Sequence, residues 1–394
     1  MSNSSTPRTT SSATSDPETK PTSSQKGQES MSHIGGEPNH SADHRESPHH
    51  VEDDYSRPPR GSATAKLVTI PTLTGLVIGI LFVTVFLAAF HAPEPHNLPV
   101  GIVGAAQQVK AVEQALDQNA PGQIEFTTYD SAAEARNAIE HRTTFGAYVM
   151  AEDGRTAQLL YAGANGPSVT GTLEGIFGGI AQHSHATLTT RDVVPASSGD
   201  TRGLGIFYAG FGIVLGAFLF GLISTQMGRA LQLRWRLLSL AMFSVVGGAA
   251  VALIGGSTGF NVLPGNLAAN MSVIVLLAAA VSAGTLLFLR IGGPAGTLLA
   301  SLVMLILGNA TSGGVMPAAY LPDWLRPLAD ILPAGLGLRA LFGESYFNND
   351  GFVSGLILLA VWVVASLGIV SAVDFLSDRR KARALRSASL APAA

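Results

Sequence analysis

Few residues in this chain have the types and spacing that chemistry at a site requires. The 394 residues include no cysteine, which excludes disulfides, thiolate metal ligands and cysteine nucleophiles. His183 and His185 could supply two metal ligands, but side chains two residues apart on a helix point apart, so we interpret them as exposed polar residues. Glu152 and Asp153 precede Gly154 and indicate a hairpin turn rather than a catalytic carboxylate pair.

Glycine-rich and amide-bearing stretches are equally weak signals of a ligand site. Gly101–Gly104 is a fragment of a dinucleotide-binding fingerprint, and a packing turn explains it better. There is no GxxxxGK[ST] phosphate loop, so the chain does not hydrolyse ATP by that route. We predict that packing or backbone hydrogen bonds satisfy the side-chain amides of Asn270 and Asn309. The alternative is that these two side chains line a transport pathway. We predict no catalytic residues, no cofactor, no metal site and no enzyme activity.

Six apolar runs are the elements that must position everything else. Only 13% of the residues are charged, against about 25% in soluble domains. Each run has roughly 18–24 residues, enough for a helix to cross a hydrocarbon layer about 30 Å thick. The runs are Leu67–Phe90, Leu204–Gln226, Leu237–Ile254, Leu267–Leu289, Pro294–Ser312 and Phe352–Phe375. We predict a membrane all-α bundle of six transmembrane helices, one standing alone (67–90) and five together (204–376).

The region around the first run predicts a tail followed by an anchor. Residues 1–66 are rich in Ser, Thr, Pro, Gly and His and have scarcely an apolar residue to bury, which predicts a disordered cytoplasmic tail. Its histidines could bind a metal weakly. A signal peptide cleaved near Ala88-Ala89 is the alternative for Leu67–Phe90, but the run is long and a tail precedes it. We therefore predict an uncleaved anchor.

Basic residues predict the orientation, because they collect in alternate connections. They are Arg57, Arg60 and Lys66, then Arg229, Arg234 and Arg236, then Arg290, then Arg379, Arg380, Lys381, Arg383 and Arg386. By the positive-inside rule this side is cytoplasmic. Both termini, including the basic tail 377–394, are then inside, and segments 91–203 and 313–351 face out. A net charge of −3 and the lack of a basic patch argue against nucleic acid.

For segment 91–203 we predict a small extracytoplasmic α/β domain inserted after the first helix. Strand-like and helix-like patterns alternate along it, which favours some parallel pairing. The predicted strands are Val100–Val103, Gln123–Tyr129, Phe145–Met150 and Ala157–Tyr161, and the predicted helices are Ala105–Asp117, Ser131–His141 and Pro167–His185. Ser131 and Glu134 have the spacing of a capping box.

The second outer segment, 313–351, is rich in proline and aromatic residues. Such a loop fits a segment that lies at the membrane interface or dips into the membrane where protein covers its backbone. Its candidate residues are Gly313, Gly314, Pro317, Pro322, Trp324 and Pro333. The five downstream runs have no ionisable residue at mid-depth, so any pumping must draw energy from elsewhere.

This arrangement resembles the permeases of type-2 ABC transporters, and most closely the bacterial branch that includes the phage-infection-protein (YhgE/Pip-like) family. The resemblance covers the topology of residues 67–376. The motifs that carry it are Ser312-Gly313-Gly314, Pro317, Leu321-Pro322, Trp324, Leu332-Pro333, Leu338-Arg339, Phe145–Val149 and Ala164–Ser168. The chain departs from the family in lacking an amphipathic helix before the first span and in its smaller outer domain.

The resemblance implies a subunit that dimerises, as a homodimer or heterodimer, and is driven by a separate cytoplasmic ATPase. Arg229, Arg234, Trp235 and Arg236 would form the loop against which that ATPase presses, although topology-setting arginines with an interfacial tryptophan explain them too. The expected activity is export of a hydrophobic or amphiphilic substrate from a bacterial cell, in contact with membrane lipids. The alternatives are a cell-envelope scaffold or receptor presenting its outer domain to a partner or phage, and, with least support, a membrane enzyme.

Overall fold

Six long apolar helices dominate the computed structural model, which describes residues 61–227 and 232–389. In this part of the chain, the stretches long and apolar enough to cross a membrane are Ala65–Phe90, Gly205–Met227, Arg234–Gly255, Leu267–Ile291, Gly293–Ala310 and Phe352–Arg380. The six predicted runs are therefore confirmed, and the chain is a multi-pass membrane protein. Most of the predicted tail lies outside the described residues, and its last six residues already belong to the first helix.

Five of these stretches lie in continuous α-helices. They are α1 (Gly61–Phe90), α5 (Gly205–Met227), α6 (Leu233–Gly255), α7 (Leu267–Ile291) and α12 (Phe352–Ser389). The other span, Gly293–Ala310, is irregular. It consists of a 3₁₀ turn, α8 (Gly296–Ala300), a π-helical stretch Ser301–Leu307 and α9 (Gly308–Ala310). Helix α1 packs on the π-helical stretch through Val85 and Ala89.

Helix α7 is the centre of the bundle. About two thirds (67%) of its apolar window is buried, against 11% for α1. It packs against α5, α6 and α12. Its middle is made of small residues, including Ala278–Ala280 and Ala283-Gly284, which allow neighbouring helices to approach closely. The peripheral faces of α1, α6 and α12 expose large apolar side chains, as lipid-facing helices do.

A five-stranded mixed sheet and its three helices, here called the sheet unit (residues 98–192), lie between α1 and α5 in the chain. Its strands are β1 (Leu98–Val103), β2 (Ile124–Thr128), β3 (Gly146–Met150), β4 (Thr156–Tyr161) and β5 (Thr187–Asp192). Its helices are α2 (Ala106–Asn119), α3 (Ala132–Glu140) and α4 (Pro167–His183). Four of the strands and all three helices match the predicted ones.

The strand order is β2-β1-β3-β4-β5. Strand β1 pairs in parallel with β2 and β3, β3 pairs antiparallel with β4, and β4 pairs in parallel with β5. The predicted parallel pairing is confirmed. Strand β5 was not predicted, because its side chains are mostly polar and exposed, with only Leu188 half-buried. Long-range pairing with β4, rather than local hydropathy, makes it a strand.

The predicted capping box at α3 forms only in part. The Glu134 N–H donates to Ser131 Oγ at 3.2 Å, as expected. The Glu134 carboxylate accepts from the N–H of Asp130, also at 3.2 Å, and not from that of Ser131. The N–H of Glu134 is satisfied as predicted, so the motif identified the beginning of α3 correctly.

The outer segment folds back as short helices. A 3₁₀ turn at Ala318–Tyr320 is followed by α10 (Arg326–Ala329) and α11 (Pro333–Tyr346). Helix α11 is buried along most of its length and packs against α5, α7 and α12. Protein therefore covers this helix, which is the condition under which such a segment can enter a membrane.

Candidate functional site

The start of α6 carries three of the four residues predicted to form a coupling loop. Arg229 lies outside the described residues. Trp235 is about half exposed (51%), and the Arg234 guanidinium carbon lies 5.6 Å from the centroid of its ring. Arg236 borders a cleft between the helix ends. The structure thus places an exposed cation–aromatic pair at this end of the bundle, and its role in coupling stays a prediction.

The cleft beside Arg236, here called the helix-end cleft, has a volume of about 730 Å³. It opens between the ends of α6, α7 and α12. Its polar lining residues are Thr225, Gln232, Arg236, Arg290, Ser371, Asp374, Ser377 and Asp378. Arg290 Nε contacts Asp374 Oδ1 at 2.6 Å, which joins α7 to α12. Asp374 lies near the end of the last span, and no local pattern in the sequence identifies its partner.

The six candidate residues of the outer segment do not form one cluster. Gly313 has a left-handed backbone (φ 73°). A side chain at Gly314 would collide with Phe207 and Leu338. Trp324 is 61% exposed, whereas Pro333 is buried as the first residue of α11. Only Gly313 and Pro317 border the same cavity.

Pro322 and Tyr320 show how this segment is held. The Pro322 carbonyl accepts from the N–H groups of Leu325 and Arg326, which forms the turn before α10. Tyr320 is only 2% exposed and belongs to the apolar core of the sheet unit, together with Leu173 and Phe177. The outer segment therefore reaches into the sheet unit and attaches it to the bundle. No local pattern in the sequence predicts this contact of Tyr320.

A second cavity, here called the sheet-side cavity, lies where the sheet unit meets the outer segment. Its volume is about 210 Å³. Its lining residues are Arg142, Phe145, Ser312, Gly313, Pro317, Ala318, Ala329, Asp330, Gly335, Arg339, Phe342 and Asp350. Four of these are charged, and none of the four was predicted as a site residue. In the sequence, Arg339 is part of the Leu338-Arg339 motif that contributes to the family resemblance.

Arg142 reaches this cavity from the turn after α3. Its backbone is left-handed (φ 54°), and its guanidinium carbon lies 5.9, 5.0 and 5.2 Å from the ring centroids of Phe145, Phe342 and Phe347. Burial lowers the pKa of Arg142 to about 10, with smaller opposing effects of Asp350, which raises it, and Arg339, which lowers it. The guanidinium therefore remains charged at neutral pH.

The other three charges of the cavity are arranged around Arg339. Its Nη1 lies 3.6 Å from Asp330 Oδ1, and its Nη2 lies 3.5 Å from Asp350 Oδ1. Arg339 is thus placed between two carboxylates. Arg142, in contrast, has no ion-pairing carboxylate within 4 Å among the described residues.

The remaining polar candidates form local hydrogen bonds. The Asn270 and Asn309 side-chain amides donate to the carbonyls of Pro264 and Leu305, at 3.0 and 2.7 Å, whereas the buried Oδ1 of Asn270 has no hydrogen-bond partner among the described residues. Asp153 accepts from the Arg155 N–H in the turn between β3 and β4, as the hairpin prediction requires. Across residues 61–227 and 232–389 there is no group of three His, Cys, Asp or Glu that could hold a metal ion.

No family model, curated protein or solved structure matches this chain.

Proposed function

We propose that the chain is a permease-like membrane subunit of a type-2 ABC exporter in a bacterial cell membrane. The observation that carries this proposal is the asymmetry of the bundle. On the sheet side, α11 is buried among α5, α7 and α12, whereas at the opposite end the helix-end cleft opens among the ends of α6, α7 and α12. A bundle closed at one end and open at the other has the form that alternating access requires.

Charge supports the orientation in this proposal. Arg234, Arg236, Arg290 and Arg379 all lie at the end of the spans where the helix-end cleft opens. The positive-inside rule places this end in the cytoplasm, with both termini, and the sheet unit outside as an extracytoplasmic α/β domain. The open cleft then faces the compartment that contains ATP.

The composition of the spans supports the energy source and the substrate class. Between their ends, the spans have no ionisable side chain that could couple transport to protons or sodium ions. A separate cytoplasmic ATPase is therefore part of the proposal, together with a second permease copy or a related subunit. The apolar, glycine-rich helix faces favour a hydrophobic or amphiphilic substrate in contact with membrane lipids.

The test is co-purification of the full-length chain, in a mild detergent, with an associated ATPase activity. We expect Arg234→Glu combined with Trp235→Ala to abolish that activity, because both side chains are exposed at the proposed contact. The matched control reverses the exposed sheet-unit residues Arg155 and Arg191 to glutamate and should leave the activity unchanged. A wild-type chain that purifies without ATPase activity would contradict the exporter role.

One observation favours the scaffold or receptor as a second candidate. Strand β5 is the edge of the sheet and exposes most of its side chains, so its outer backbone edge could pair with a strand of a partner. The substitutions Thr187→Lys and Thr189→Lys would place charges on this edge and oppose pairing with a partner strand. We expect them to abolish adhesion of a partner or phage while ATPase co-purification persists; unchanged adhesion would rule out this edge as the receptor surface.

A further inference from the structure

We propose that the sheet-side cavity is a binding site for one phosphate-type oxyanion, with Arg142 as the residue that binds it. A guanidinium presents five N–H donors in a planar fork that matches phosphate and carboxylate oxygens. The contacts that the structure gives the Arg142 guanidinium are ring contacts, with Phe145, Phe342 and Phe347. Ring faces attract the cation without using its N–H donors.

The four charges that line the cavity differ in how they are paired. Arg339 lies between Asp330 and Asp350, so these three groups leave one net negative charge, which acts on Arg142 at a longer distance than an ion pair. Arg142 is the charge left without an ion-pairing carboxylate within the described residues. A half-buried charge is costly unless it meets a counter-charge and hydrogen-bond acceptors, which an oxyanion supplies together.

The volume limits the size of the ligand. About 210 Å³ is below the 300–1,000 Å³ typical of sites for drug-sized molecules. The cavity therefore admits a group the size of a phosphate or a phosphodiester, and not a whole lipid. Two sources have this chemistry: free inorganic phosphate, and the headgroup of an anionic lipid whose chains remain outside the cavity.

Because of the position of the cavity, a bound anion should affect the stability of the fold. Arg142 and Phe145 belong to the sheet unit, whereas Gly313 and Pro317 belong to the outer segment. An anion held between them would connect the two parts of the molecule. We therefore expect the ligand to raise the thermal stability of the full chain. This inference stands on the geometry of the cavity and does not depend on the exporter role.

The experiment is calorimetric titration of the full-length chain in a zwitterionic detergent with two probes, inorganic phosphate and a short-chain phosphatidic acid. We expect saturable binding, and at least roughly tenfold weaker binding for Arg142→Met, which keeps an apolar stem but loses the charge-assisted hydrogen bonds. Tighter binding of the phosphatidic acid assigns the site to a lipid headgroup. Equal binding of the two probes assigns it to free phosphate.

A second variant keeps the test decisive if Arg142→Met does not fold. Asp330 is 70% exposed at its side chain, so Asp330→Asn should fold normally. Removing its negative charge is expected to tighten phosphate binding by roughly twofold to fivefold. The proposal is overturned if the wild-type chain shows no saturable binding, if Arg142→Met binds as tightly as wild type, or if Asp330→Asn binds no more tightly.

Discussion

Asp200 joins the sheet unit to the first of the five clustered spans through a buried carboxylate. The side chain is 7% exposed, and its two oxygens accept from the N–H groups of Leu204 and Gly205 at 3.0 and 2.7 Å. These N–H groups lie at the start of α5, where helix donors have no partner within the helix. A carboxylate here also interacts favourably with the helix dipole.

We expect Asp200→Ala to lower the free energy of unfolding by about 1–2 kcal/mol, because two donors lose their acceptor. Asp200→Asn keeps an acceptor oxygen and should lose less. The measurement is thermal or denaturant unfolding of the full chain in detergent. Asp117→Ala, at an exposed position of α2, is the matched control and should leave stability unchanged. Equal stability of Asp200→Ala and this control would show that the cap contributes nothing.

Arg142 illustrates what a single residue contributes and why its role was not predicted. In the sequence it is one cation in a turn after a short helix, and nothing near it in the chain marks a site. Its surroundings come from Phe342 and Phe347, about 200 residues away in the chain. A role that depends on such distant residues has no local signature.

At the scale of elements, close packing of helices is set by glycines whose neighbours leave no room for a side chain. A Cβ at Gly248 of α6 would lie 2.6 Å from Val275 Cγ2 and 2.9 Å from the Val275 backbone nitrogen on α7. Gly212 of α5, in contrast, has no neighbouring atom within 4 Å and is exposed. The two glycines occupy similar helices but different environments.

We therefore expect Gly248→Ala to destabilise the bundle by roughly 1–3 kcal/mol, because the α6 backbone must move away from α7. Gly212→Ala should cause no loss, since its methyl group meets open space. Thermal unfolding of both variants in the same detergent compares them directly. If the two substitutions have the same effect, the close contact between α6 and α7 is not a determinant of stability.

At the scale of the whole molecule, the central prediction is that the two ends of the bundle face different compartments. Because the chain has no cysteine, a single introduced cysteine reports on one position. Gln118 lies in the sheet unit and Ala382 near the end of α12, and both are exposed. Neither substitution alters a basic residue that determines topology.

We expect an impermeant maleimide to label Gln118→Cys on intact cells and to label Ala382→Cys only after the membrane is permeabilised. The physical reason is the concentration of basic residues at the α12 end, because positively charged span ends tend to stay in the cytoplasm. Labelling is read by mass shift of the purified chain. Equal labelling of both positions on intact cells would contradict the orientation, and with it the exporter proposal.

By itself, the sequence determined the six spans, strands β1–β4 and helices α2–α4, because hydropathy and periodicity over about 5–25 residues are enough to specify such elements. The tertiary structure alone decided that Thr187–Asp192 is a strand, that α11 is buried inside the bundle, that Arg290 pairs with Asp374 and that Arg142 meets Phe342. Each of these depends on residues brought together from distant parts of the chain, and burial and pairing of that kind are properties of the folded molecule rather than of any segment.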